Sequence, residues 1–148
     1  MSMTTNYQLI KLAEHYGINL HVCSKDKLAS QKHSNPGYYI INLADSDKPG
    51  THWVALFIDN ATKIYFDSYG MLAPEEVEEF LMNDYYYNKK QIQSLQSGFC
   101  GIFCIAFLLA MHRLKKKTKN NYLQEYQRFI NQFSDNPTKN LRILKTLE

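Results

Sequence analysis

No apolar run in this chain is long enough to cross a bilayer. The longest, Phe99 to Met111, suits a buried core helix instead, and no membrane partner is expected. Cysteine is scarce as well. Cys23, Cys100 and Cys104 are too few, and odd in number, for a disulfide framework, which points to a reducing compartment. The segment from Met1 to Gln8 is polar, so no secretory signal is expected and the protein is not read as secreted. Low-complexity stretches, internal repeats and linkers are missing. Residues 1–148 therefore read as one domain, long enough to bury a core. Charge of one sign is not in large excess: a net charge of +3 does not by itself demand a nucleic-acid partner.

What charge there is lies unevenly. Lys115, Lys116, Lys117 and Lys119 follow His112-Arg113, while Pro74 to Glu79 is acidic. The basic cluster is a candidate DNA contact, although a solvated helix end has the same composition. Aromatic residues are plentiful, with 11 Tyr and 8 Phe beside the single Trp, as in a small, densely packed enzyme or a binding surface.

The order of elements predicts a mixed α+β fold, a small mixed or antiparallel sheet packed by helices. A helix begins at Thr5-Asn6 and closes at Gly17; Ile18 to Cys23 is a short strand; Lys25 to Gly37 is polar and ends in a turn. Tyr38 to Leu43, His52 to Ile58 and Lys63 to Asp67 read as strands, the last two joined by the turn Asp59-Asn60-Ala61-Thr62. Pro74 to Met82 reads as a helix with Pro at its first position, and Tyr85 to Leu95 as one or two short strands. Cys100 to His112 is apolar almost all round, as a central buried helix would be. Tyr122 to Phe133 is amphipathic, Pro137 interrupts it, and Leu141 to Leu147 is a short tail.

The chemistry gathers at three places. Cys100 follows a Gly-containing turn and opens the apolar helix, where backbone N–H groups and the helix dipole favour a thiolate. It is the candidate nucleophile. Cys104, one turn deeper in the same run, reads as an inert core thiol, and Cys23 as structural. His52 opens a strand after a Pro-Gly loop and is the candidate base; His15, His21, His33 and His112 are weaker rivals. Asp67 ends the strand that returns from the hairpin, so it reaches the same end of the sheet as His52 and can orient its ring. Gln93 is the candidate oxyanion donor together with the Cys100 N–H, with Gln91 and Gln96 as rivals. Writing His21, Cys23, Cys100 and Cys104 as zinc ligands fails on spacing, because Cys-x₃-Cys inside an unbroken apolar helix is a poor metal clip. No metal is expected.

Three ordered blocks, Gly50-Thr51-His52-Trp53-Val54-Ala55-Leu56, Ile64-Tyr65-Phe66-Asp67-Ser68-Tyr69-Gly70 and Gln93 through Cys104, resemble the adenovirus maturation protease (adenain) and its relatives among virophages, Polinton/Maverick elements and large DNA viruses. More distantly the chain is similar to the SUMO-specific proteases. The resemblance runs from about Gly17 to Ala110 and implies the adenain-type, papain-like cysteine protease fold, with the nucleophile on the central helix. It places the family order His–Asp–Gln–Cys on His52, Asp67, Gln93 and Cys100. It implies peptide-bond hydrolysis through a thioester, after small Gly-containing motifs. Viral capsid and structural precursors are the implied substrates, and the virion or the assembly site in the host cytoplasm or nucleus is the implied location. No cofactor is implied for the chemistry itself. A peptide or DNA is the activator to consider, and a monomer the expected state. Between Asp67 and Cys100 there is no cysteine, so the residue that tethers an activating peptide in adenain is missing. The separate Trp that lids the substrate tail in SUMO proteases is missing too, which favours a viral maturation protease over a SUMO or ubiquitin isopeptidase. A non-catalytic capsid- or nucleic-acid-binding protein of the same fold is the remaining alternative.

Overall fold

The structure is a computed structural model that describes residues 5–44, 52–94, 98–115 and 121–146. Helix α1 (Asn6–His15) is started by Thr5 and Gln8, each side chain bonding the other's backbone N–H in a reciprocal cap. Gly17 takes φ +78 just beyond its end, as the sequence predicts. Five strands follow: β1 (Leu20–Ser24), β2 (Gly37–Asn42), β3 (Trp53–Asp59), β4 (Thr62–Phe66) and β5 (Tyr86–Tyr87). They form one sheet in the order β1-β2-β3-β4-β5. The outer pairs, β1 with β2 and β4 with β5, are parallel, and the inner pairs are antiparallel, so the sheet is mixed.

Strand β3 is buried on both faces, and its alternation sorts two cores. Trp53, Ala55 and Phe57 pack with Tyr38, Ile40, Ile64 and Phe66 against the helices. Val54, Leu56 and Ile58 pack with Tyr39, Ile41 and Tyr65 against Leu28, Val77 and Leu81 on the other side. The first core is filled by α3 (Cys100–Lys115), whose stripe Cys100, Phe103, Cys104, Phe107, Leu108 and Met111 is buried at helical spacing. Helix α4 (Tyr122–Asn131) covers α3 with Tyr126, Phe129 and Ile130.

Three sequence expectations need correction. Lys25–Ser30, read as part of a polar loop, is a 3₁₀ helix that buries Leu28 under the sheet. Pro74 is the N-cap of α2 (Glu75–Phe80), one position before the helix it was expected to begin within. The C-terminal tail holds a 3₁₀ turn at Pro137–Lys139 and a further helix, α5 (Asn140–Thr146). Between Tyr85 and Ser94 one short strand forms, β5, within the one or two expected. Among the described residues, no helix is long and apolar enough to cross a membrane.

Candidate active site

His52 stands one residue before β3, and its backbone carbonyl accepts from Leu43 N–H at 2.9 Å, extending the pairing of β2 with β3. Asp67 stands one residue after β4. The hairpin returns it to His52, and His52 Nε2 donates to Asp67 Oδ1 at 2.6 Å. Both are buried, at 8% and 1% exposure, so little solvent screens the pair.

Asp67 is held on every side. It opens a tight turn in which Gly70 N–H donates to its carbonyl at 2.8 Å. Tyr69 N–H donates to the same carboxylate oxygen that His52 uses, at 2.9 Å. The Asn88 side chain completes the hold: its Oδ1 accepts from Asp67 N–H at 3.1 Å, and its Nδ2 donates to Asp67 O at 2.6 Å. Gly70 is required here, with φ +74 and with the Lys89 and Lys90 backbone 2.9 Å from where a Cβ would sit.

Cys100 is the first residue of α3, and Trp53 N–H donates to its sulfur at 3.4 Å. The carbonyl of Trp53 accepts from Cys104 Sγ at 3.4 Å, so the backbone of one strand residue grips both thiols. Nε2 of His52 is taken by Asp67, which leaves Nδ1 as the nitrogen to exchange a proton with sulfur. Nδ1 is buried and makes no conventional hydrogen bond, yet the imidazole and the Cys100 sulfur each shift the other's protonation. Catalytic hydrogen bonds that are long in a free site commonly tighten around substrate.

Burial by itself would lower the His52 pKa. Hydrogen bonding and negative charge from Asp67 and Cys100 overcome that, and the imidazole is pushed up to about 9. Burial likewise would raise the Cys100 thiol, but bonding to His52, the Trp53 and Gly101 N–H groups and the imidazolium charge bring it below its ordinary value. Four residues on, Cys104 goes the other way: full burial, then the negative charge of Cys100 and Asp67, hold its thiol well above the ordinary range. Two cysteines on one helix are thus opposite in character. Cys23, pushed up to about 11 by burial and then by Asp26, resembles the inert one.

Gln93 is buried at 1% exposure beside this turn. Its N–H donates to Ser68 O at 2.9 Å, and Ser68 Oγ donates to its side-chain Oε1 at 2.5 Å. Oε1 is thus the acceptor in this contact, and the NH₂ end of the amide is the donor group. Gln91 is used differently, donating to the Gln93 carbonyl at 3.0 Å. Gln96 lies outside the described residues, as do Lys116, Lys117 and Lys119 and the side chain of Lys115. Sequence reasoning passed over Ser68, Tyr69 and Asn88. The first two adjoin Asp67 in the quoted block, whereas Asn88 reaches it only through the fold. The other histidines stand apart from this group: His21 and His33 stack on Tyr39 and Phe80, and Tyr38 pairs with His112. No group of three or more His, Cys, Asp or Glu side chains among the described residues is arranged to hold a metal ion. A cavity between α1, α3, α4 and α5, walled by Leu12, Ile105, Leu109, Phe129 and Leu144, contains none of His52, Asp67 and Cys100.

An imidazole clamped by a carboxylate thus stands next to an acidified thiol. The chain is 30% identical to the protease of Bovine adenovirus 4 over 106 residues, 57% of this chain and 51% of that protein. It is 25% identical to the protease of Frog adenovirus 1 over 101 residues, 53% of this chain and 48% of that protein. It is adenain-like. The chain spans about half the length of these two curated relatives. No family model matches it. Two crystal structures of the ASFV pS273R protease superpose with TM-scores of 0.56 and 0.59, at 18% and 16% identity, covering 96% of this chain and 67% and 66% of theirs. Those structures share the α+β fold expected from the sequence.

Proposed function

We propose that this chain is a cysteine endopeptidase that cleaves viral structural precursor proteins during virion maturation, after small Gly-containing motifs. The observation that carries the reading is the 2.6 Å His52–Asp67 bond beside a Cys100 thiol held below its ordinary pKa. In this reading the Cys100 thiolate attacks the scissile carbonyl carbon. The Cys100 N–H at the helix start and the Gln93 amide stabilise the oxyanion. The tetrahedral species collapses as His52 Nδ1 passes its proton to the leaving amine, and a thioester remains. Neutral His52 then takes a proton from water, whose oxygen attacks the thioester and releases the acid and the thiol. Asp67 stays ionised throughout and holds the ring in the tautomer this needs.

The proposed enzyme acts as a monomer in the virion or at the assembly site. It needs no metal or cofactor for the chemistry, and the basic cluster Lys115, Lys116, Lys117 and Lys119 is the proposed contact for an activating DNA. The test is incubation with viral precursor proteins and mass spectrometry of the new termini. Cleavage after Gly-containing motifs is expected from the wild type and none from Cys100→Ala, while Cys104→Ala stays within a few-fold of wild-type turnover. Equal loss in both variants, or release of SUMO or ubiquitin from conjugates in preference to cutting the precursors, overturns the reading.

A further inference from the structure

We propose that Tyr69 is a positioning residue of this site: its ring fixes the plane in which the His52 imidazole meets the Cys100 sulfur. The inference rests on the proposed thiol chemistry. The Tyr69 and His52 rings lie 4.0 Å apart between centroids and 6° from parallel, a face-to-face stack. The same residue's N–H holds Asp67 Oδ1 at 2.9 Å, and that oxygen holds His52 Nε2 at 2.6 Å. Tyr69, Asp67 and His52 thus close a ring of three contacts.

A single N–H···O bond fixes one edge of an imidazole but lets the ring pivot about the bond axis. Each degree of pivot swings Nδ1 relative to the sulfur. A parallel aromatic face removes that freedom, because any rotation opens the stack on one side. An aromatic face also favours a cation laid on it, so the stack supports the imidazolium form. Among the described residues, the titratable groups that act on His52 are Asp67 from the end of β4 and Cys100 from the start of α3. The Tyr69 phenol lies near both. Burial, then the negative charge of Cys100 and Asp67, raise its pKa, which keeps it neutral while the pair is ionised. Tyr69 is half-buried, so its ring closes one face of the imidazole.

The backbone N–H survives any side-chain change, so substitution isolates the stack. The experiment compares wild type, Tyr69→Phe and Tyr69→Leu by steady-state cleavage and by the pH dependence of Cys100 alkylation with iodoacetamide, followed on the Cys100 peptide by mass spectrometry. Tyr69→Phe should stay within about two-fold of wild type in kcat, because the face is retained. Tyr69→Leu should lose roughly 10–10²-fold in kcat with KM nearly unchanged, the size of loss a misplaced group brings. Its thiolate titration should also move up by about half to one pH unit. Should Tyr69→Leu fail to fold, Tyr69→Met, unbranched and better able to adapt to the site, carries the same expectation. A leucine or methionine variant that titrates and turns over like wild type overturns the proposal alone, as does a Tyr69→Phe as poor as Tyr69→Leu. A wild-type Cys100 that titrates as an ordinary free thiol overturns the catalytic reading and this one with it.

Discussion

At the scale of single residues, the site depends on one oxygen. Asp67 Oδ1 accepts from both His52 and the Tyr69 backbone, so the bond that orients the base also ties the turn. The pair's protonation sets a pH window. Thiolate forms as pH rises through the lowered Cys100 pKa, and imidazolium is lost as pH rises through about 9. The kcat/KM profile should therefore be a bell whose alkaline limb falls near pH 9 and whose acid limb lies below the ordinary thiol range. Asp67→Asn should cut kcat by about 10³–10⁴, since an amide there favours the wrong tautomer. A pH–rate series on both proteins checks this, and an alkaline limb unmoved in Asp67→Asn would contradict the assignment. His52 and Asp67 were legible in the sequence because each sits at the end of a hairpin strand, where the returning chain brings the two ends together, and Cys100 because it follows a Gly-containing turn and opens an apolar helix. Asn88 was not. It is an asparagine in a polar stretch, and nothing local says that its amide faces the backbone of Asp67.

Elements, too, were legible where their patterns are strong. The cap at Thr5, the apolar alternation of β2 to β4 and the all-round apolar α3 each carry a period, and each forms near its expected place. Lys25–Ser30 and Asn140–Thr146 carry none, being short and mostly polar, and their structure comes from what they touch. Leu28 anchors the first under the sheet. Asn140 anchors the second, donating to Ile92 O at 2.8 Å and Ser134 O at 2.9 Å from a fully buried position. Asn88 has the same kind of role at the edge of β4, standing in for a strand neighbour that β5 is too short to supply. Asn88→Ala should lower unfolding free energy by about 1–3 kcal/mol, the usual penalty for leaving buried backbone groups unpaired. Urea denaturation measures it, and a change within error would show that water takes over the amide's place.

Over the whole molecule, two cores share one sheet, and the candidate site lies at the border of the larger. Phe107 is central to that core. It stacks on Phe66 at 5.1 Å and 12°, and meets Tyr126 edge-on at 5.6 Å and 78°. Phe107→Ala should cost about 3–5 kcal/mol by opening a cavity between helix and sheet. That is a large share of a typical domain's stability, so the melting temperature should fall by many degrees. Calorimetry would show it, and an unchanged midpoint would mean that neighbours collapse into the space. One division of labour in this architecture has a further consequence under the proposed reading. Acid and base come from a hairpin, while sulfur arrives on a helix more than thirty residues later in the chain. Until those two layers dock, the thiol lacks the His52 and Trp53 contacts that lower its pKa. A nascent or half-folded copy is therefore harmless to its neighbours, and synthesis itself supplies a period of latency.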